Sequence, residues 1–211
     1  MNNKDKITIG IRDSKLSKAQ TMEFILLAEK GIEEINKNTF EIKFIKTSGD
    51  IHNSERLDRM GGKGLFIKEI EERILSDDID IGVHSIKDMP AVGHRDLEIF
   101  CYMNRLDNSD VLISNSGKSL ASLDRGSIIG TSSIRRRAQI LNFRSDLKIK
   151  LLRGNVDTRV TKLRNNEFDA IILAHAGLKR LNMESEITEI LPHKYFLPAA
   201  GQGAVGIQSK I

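Results

Sequence analysis

Tryptophan is absent, and Phe, Trp and Tyr together make up 5% of the 211-residue chain. That leaves little with which to stack single-stranded bases, and no nucleic-acid partner is expected. Cys101 is the only cysteine, so an intrachain disulfide is excluded. It reads most simply as a small core residue. The histidines His52, His84, His94, His175 and His193 are scattered without zinc-ligand spacing, and no metal is expected. No apolar run approaches the roughly 18–20 residues of a membrane span. The opening residues MNNKDKITIGI lack the apolar core of a signal peptide. The expectation is a cytoplasmic, reduced monomer that does not engage a membrane. Rossmann and P-loop fingerprints are missing, and so is a G-x-S-x-G nucleophile elbow.

What is present is an ordinary globular composition, 39% hydrophobic and 29% charged. The length suffices for one large or two small domains. The formal net charge of +4 is a mild basic excess that favours anionic ligands. Strand-like and helix-like stretches alternate, which predicts an α/β fold with mainly parallel sheets. Lys6 to Ile11 alternates as a strand, and Leu16 to Ile35 carries helical spacing, with Asp13 or Ser14 as its cap. Phe40 to Lys46 is a second strand. A long polar stretch, Thr47 to Gly64, holds Arg59 and Gly61-Gly62-Lys63-Gly64. Connections of this length are often functional lids. Lys63 has the setting of a phosphate loop without the Walker spacing. Leu65 to Leu75 reads as a helix.

The stretch DIGVHSIKDMP, from Asp80 to Pro90, opens as a buried strand and stops at a proline. It leaves Lys87 and Asp88 at the strand's carboxyl end, the end at which open α/β sheets bind ligands. Leu97 to Tyr102 is a strand, and Asn104 to Asp110 reads as an interdomain crossing. Further strands are expected at Val111–Ile113, Ser127–Gly130, Leu147–Leu152, Phe168–Leu173 and Ala204–Gln208, with a helix from Val156 to Leu163. Phe196 to Gly203 is a second hinge candidate. Two crossings predict two domains, residues 1–103 with 199–211 and residues 104–198, and a cleft for a charged small molecule.

Basic residues recur near these strand ends: Arg12, Arg135, Arg136, Arg153, Arg159 and Arg180. Arginine suits bidentate carboxylate recognition. After the strand ending at Gly130, the order Thr131-Ser132-Ser133-Ile134-Arg135-Arg136-Arg137 points hydroxyls and helix N–H groups at one place. Arginines in a first helical turn oppose the macrodipole, and a bound anion would relieve that. Three in a row cannot all face one ligand, so some must be solvated or paired. Arg12 reads equally well as a surface cation. Asp88 is the one acid expected among these cations, so the ligand should carry several anionic groups and one region that becomes cationic.

These residues bring the chain to a family. Arg12-Asp13-Ser14, Gly61 to Phe66, Val83 to Pro90, Gly130 to Arg136, Leu152 to Val156 with Arg159, Ala176 to Leu181, and Leu197 to Ala204 occur as ordered blocks. Together they resemble porphobilinogen deaminase (hydroxymethylbilane synthase). The resemblance implies a two-domain arrangement of periplasmic-binding-protein-like type. It implies that four porphobilinogen molecules are condensed, with loss of ammonia, to hydroxymethylbilane in tetrapyrrole (heme) biosynthesis. Asp88 matches the catalytic aspartate. Lys87, Ser133, Arg135, Arg136 and Asp88 match groups that hold a dipyrromethane cofactor. Arg12, Ser14, Arg153, Arg159, Arg180 and Gln202 match substrate-side and hinge residues, and Lys63 lies on the counterpart of a mobile loop. The family also carries a third, C-terminal domain whose cysteine anchors the dipyrromethane. Here the last strand runs into Gln208-Ser209-Lys210-Ile211, and Cys101 does not match that anchor, so the third domain is expected to be absent. Lys15 stands where the family often has proline. The alternative to the enzyme is a pyrrole- or polycarboxylate-binding module without turnover, or an inactive fragment.

Overall fold

The structure, a computed structural model, describes residues 6–47 and 67–211. Lys63, Arg59 and the Gly61–Gly64 cluster lie outside the described residues. In chain order the elements begin with β1 (Ile7–Arg12), α1 (Lys15–Gly31), β2 (Phe40–Ile45) and α2 (Lys68–Leu75). Strands β3 (Ile81–Ser85), β4 (Leu97–Tyr102), β5 (Asp110–Ser114) and β6 (Ile128–Gly130) follow. Then come α3 (Ile134–Phe143), β7 (Lys148–Lys150), α4 (Val156–Arg164), β8 (Ala170–Ala174), α5 (His175–Arg180), β9 (Glu189–Ile190) and β10 (Val205–Lys210). The chain divides into two compact units. Unit 1 is Met1–Arg105 with Ala204–Ile211, and unit 2 is Leu106–Gly203. The crossings thus fall after Arg105 and after Gly203, where the sequence suggested 103 and 198.

Unit 1 holds a five-stranded sheet in the order β2-β1-β3-β10-β4. β1 is parallel to β2 and β3, whereas β10 runs antiparallel to β3 and β4. One face packs Ile9, Ile11, Val83 and Ile207 against Ile25 of α1. The other packs Ile45, Ile79 and Leu97 against Ile70 and Ile74 of α2. Strands buried on both faces are apolar almost continuously, which is why they were legible.

Unit 2 repeats the arrangement with the order β7-β6-β8-β5-β9. β6 is parallel to β7 and β8, and β5 is antiparallel to β8 and β9. Successive residues alternate faces. Leu112, Ala170 and Ile172 meet Ile140 of α3 on one side. Val111, Ile113, Ile171 and Leu173 meet Val160 and Leu163 of α4 on the other.

Some expected boundaries move. α1 ends at Gly31 rather than Ile35, because Ile32 takes an extended conformation. Ile35 still packs on the core, so its apolar phase mimicked a longer helix. β7 covers only Lys148–Lys150; Leu147 and Leu152 are buried from the flanking turns. Arg180 closes helix α5 rather than following a strand directly.

At both points where the chain leaves one unit for the other, the two strands of chain are bonded within each unit. In unit 1, Met103 N–H donates to Val205 O at 3.0 Å, and in unit 2 Leu106 N–H donates to Gly203 O at 3.2 Å.

Candidate functional site

In unit 1, β1 and β3 are parallel neighbours, so their carboxyl ends emerge at the same sheet edge. Arg12 is the last residue of β1. The next turn leads to Ser14, whose hydroxyl oxygen accepts Ser17 N–H at 3.1 Å and caps α1. β3 ends at Ser85 and tightens into a single 3₁₀ turn, Ile86–Asp88, closed by Met89 N–H to Ile86 O at 3.1 Å. Lys87 and Asp88 are therefore carried on a turn held by its neighbours rather than on an open loop. Gln20 of α1 donates to Ser85 Oγ at 2.9 Å, and Ile86 N–H donates to Ala204 O at 3.1 Å. Beneath the turn, Gly206 lies so close that a Cβ there would meet Ile86 Cδ1 at 2.4 Å. Lys87 and Asp88 are both half-buried. The unit thus sets Arg12, Ser14, Lys87 and Asp88 at one edge of its sheet.

In unit 2 the parallel strands β6, β7 and β8 likewise end at one edge. β5 is antiparallel to β8 with Asp110 opposite Ala174, so Asp110 begins at that same edge. Ser133 caps α3, its Oγ accepting Arg136 N–H at 3.3 Å. After β7, Gly154 turns the chain with a positive φ of 113°, a conformation glycine adopts without steric cost. Arg159 of α4 donates from Nε to Gly154 O at 2.7 Å, bracing the turn that presents Arg153. Arg180 Nη1 reaches Gly203 O at 3.4 Å. Gln202 sits between Gly201 and Gly203, both with positive φ, and is 1% exposed.

The three consecutive arginines divide as the sequence required, but with a partner it did not reveal. Arg137 is exposed. Arg136 is 6% exposed; it donates from Nε (3.1 Å) and Nη2 (2.8 Å) to Asp110 Oδ1, and from Nη1 to Ile172 O at 3.0 Å. Arg135 Nη1 donates to Asp110 Oδ2 at 2.6 Å, to Gln139 Oε1 at 3.2 Å and to Leu197 O. Gln202 Nε2 donates to Asp110 Oδ1 at 2.9 Å and to Asn108 O at 2.7 Å. Asp110 itself is 0% exposed. Burial pushes its carboxyl upward, but the Arg136 charge and the hydrogen bonds from Arg135, Arg136 and Gln202 outweigh that and hold it at about 2. The anion expected to relieve the arginines at the start of α3 is thus supplied in part by the protein itself.

Asp110 is the residue that sequence reasoning passed over as the end of a polar crossing. Its signal was available: an acid opening an apolar strand is buried, and a buried acid needs a cation.

Two α/β units, each with its candidate residues at the carboxyl edge of a mixed sheet, define a fold of periplasmic-binding-protein-like type. Solved structures share it at low identity. The periplasmic VFT2 domain of Bordetella pertussis BvgS matches with a TM-score of 0.52 at 11% identity, covering 98% of this chain and 81% of that one. An ABC transporter from Parabacteroides distasonis matches with a TM-score of 0.51 at 11% identity, covering 98% and 66%. Residues 7–211 match the family described as "Porphobilinogen deaminase, dipyromethane cofactor binding domain". Porphobilinogen deaminases of Bacillus thuringiensis (strain Al Hakam) and Bacillus anthracis are each 48% identical over 207 residues, 97% of this chain. The chain belongs to the porphobilinogen deaminase family, and it spans 66% of the length of those relatives.

Proposed function

We propose that this chain carries out the deaminase chemistry of its family: successive condensation of porphobilinogen with loss of ammonia, giving hydroxymethylbilane. The observation that carries the reading is the held turn after β3, which fixes Asp88 beside Lys87 on the same sheet edge as Arg12 and Ser14. A carboxylate in that position acts on the pyrrole nitrogen. It stabilises the positive charge that develops when ammonia leaves, and it relays the proton. Arg12, Ser14, Arg153 and Arg159 take the acetate and propionate arms of the substrate, for which paired guanidinium donors are well matched. Arg180 and Gln202 hold the backbone next to the second crossing.

The family's dipyrromethane is a polycarboxylate, and the residues present fit such a group. In unit 2, Ser133 caps α3 and Arg135 lies in the first turn of that helix, and in unit 1 Lys87 lies on the turn after β3. When bound, the group supplies the terminal pyrrole carbon to which substrate is joined. Ser133, Arg135 and Arg136 would hold its carboxylates, and Lys87 would add a further cation. Cys101 lies on β4, partly buried against the core of unit 1, and takes no part in holding the group. A cytoplasmic monomer suits a chain with this single cysteine, and no helix among the described residues is long and apolar enough to cross a membrane.

The test is incubation of the purified protein with porphobilinogen, following ammonia and tetrapyrrole release. Ammonia release is expected from the wild type. Asp88→Asn should lower it about 100-fold or more, the scale of a lost acid–base group, with an unchanged circular dichroism spectrum. Saturable binding of porphobilinogen without ammonia release would instead make the chain a binding module, and the deaminase reading would fall.

A further inference from the structure

We infer that His175, held between Asp107 and Glu184, is a proton-operated latch on the segment by which the chain enters unit 2. With a proton on each ring nitrogen, His175 ties that segment to the turn that follows α5. Without the second proton, one of the two contacts fails. The latch is independent of the chemistry proposed above.

The entry segment, residues 106–109, lies between the first crossing and β5. Leu106 N–H donates to Gly203 O, and Asn108 O accepts from Gln202 Nε2. His175, the first residue of α5, adds two contacts. Its backbone N–H donates to Ser109 O at 3.0 Å, and its ring Nδ1 stands 3.1 Å from Asp107 Oδ2. Across the ring, Nε2 meets Glu184 Oε1 at 3.1 Å. Glu184 opens a single 3₁₀ turn, Glu184–Glu186.

Two ionised carboxylates on one imidazole set a proton requirement. A carboxylate only accepts, and a neutral imidazole has one N–H and one lone pair. The neutral ring therefore satisfies one carboxylate and turns its lone pair on the other. An imidazolium donates from both nitrogens and attracts both anions. His175 is buried, and its Nδ1 has no aligned hydrogen bond among the described residues, so water does not replace the missing proton. Asp107 does not yield its charge instead. The hydrogen bond from Ser109 N–H to Asp107 Oδ1, at 2.7 Å, holds that carboxyl below its usual range against the effect of burial, with His175 adding to it.

The neighbouring ionisable groups are differently engaged. Lys179 and Arg180 lie in the last turn of α5, and Arg180 reaches Gly203 O. Glu186 pairs with Arg164. Asp110, opposite Ala174 in the sheet, is taken by Arg135, Arg136 and Gln202. His193 Nε2 contacts Ser109 Oγ at 3.1 Å, but a hydroxyl both donates and accepts, so that contact survives either state of the ring. Imidazole changes charge between about pH 5 and about pH 8. The hold on the entry segment is present at the acid end of that window and is lost as pH rises through it.

The experiment is amide hydrogen exchange by nuclear magnetic resonance on the ¹⁵N-labelled chain at about pH 5.5 and about pH 8, corrected for the intrinsic rate. Long-range ¹H–¹⁵N correlation of the His175 ring accompanies it. In the wild type, protection of the His175 N–H, which bonds Ser109 O, should fall about fivefold or more at the higher pH, the scale by which a charge-assisted hydrogen bond exceeds a neutral one. The ring should pass from two protonated nitrogens to one. Glu184→Gln supplies an amide that can donate to the ring lone pair, so its protection should stay level between the two pH values to within about twofold. His175→Gln should also be level, at lower protection. Wild-type protection that ignores pH overturns the latch, as does a ring with a single protonated nitrogen at about pH 5.5. A Glu184→Gln protein that keeps the full pH dependence overturns it too, because the responding group then lies elsewhere. The wild-type measurements decide the matter even where His175→Gln does not fold.

Discussion

Acidification should weaken this fold well before its carboxylates protonate, and the cause is one imidazole. His84 is the fourth residue of β3, buried between the sheet and α2, where a Cβ on Gly82 would come within 2.7 Å of its Nε2. Burial pushes its pKa down from 6.5 to about 4, and a polar contact from Gln208 opposes this only in part. The ring is therefore neutral in the native state, while in the unfolded chain it takes up a proton near pH 6.5. Below that value the unfolded state binds more protons, so stability falls as pH drops from 6.5 towards 4. The loss attributable to His84 between about pH 7 and about pH 4.5 is about 2–3 kcal/mol. Urea unfolding of wild type and His84→Gln at both pH values measures it, because the two proteins share every other titrating group. The stability difference between them should shift by that amount in favour of the variant at the lower pH. A difference that stays constant to within about 0.5 kcal/mol would show that the ring protonates inside the folded protein, and the argument from burial would be wrong. The result bears on the site, since β3 delivers Lys87 and Asp88.

Three further outcomes follow from the packing. Gly206→Ala would force its Cβ into Ile86 Cδ1; an overpacking loss of about 1–3 kcal/mol is expected, with impaired ammonia release because Ile86 begins the turn that carries Asp88. A Gly206→Ala protein with wild-type stability and activity would contradict that contact. Ser14→Ala removes the acceptor for Ser17 N–H and should cost about 1 kcal/mol in urea unfolding. Asp110, ordinarily near 3.8 and held at about 2, contributes about 2 kcal/mol that is fully present above the unfolded value and lost as pH falls through 3.8 towards 2. Asp110→Asn should lack that low-pH component of the stability profile.

Sequence and structure agree where one physical signal dominates. β5 and β8 are apolar on both faces and β1 and β3 are apolar at every second position, and such runs bounded by polar turns identify strands. The turn at Lys87–Asp88 was visible because Pro90 ends what the apolar run begins. A helix cap was legible at Asp13 or Ser14 from their place before the periodic residues, and the structure gives it to Ser14. Other features depend on distance along the chain. Nothing in Ile134-Arg135-Arg136-Arg137 says which arginine is buried; the answer lies with Asp110, reached only when β5 pairs with β8. β9 is two residues long and exists because β5 offers an edge, so local propensity could not announce it. Ile35 extended the helical pattern past Gly31 because a loop residue that packs on the core looks like one more turn of helix. The role of Arg180 as the end of α5 was hidden for the same reason: Ala174–Leu181 is too short for periodicity to speak.

The hydrogen bonds at the two crossings have a consequence for how the chain can be taken apart. Where unit 2 is set into unit 1, the severed ends of each unit lie one hydrogen bond apart, Met103 with Val205 in one and Leu106 with Gly203 in the other. Chain ends this close can be joined by a short turn, the geometry on which excision and permutation depend. A short turn joining Met103 to Val205 would give unit 1 as a single uninterrupted polypeptide. Unit 2, already contiguous, could be expressed alone or re-opened elsewhere with its original ends joined. The Asp88 half and the Asp110 half of the proposed chemistry would then be separable pieces that can be mixed back together in a tube.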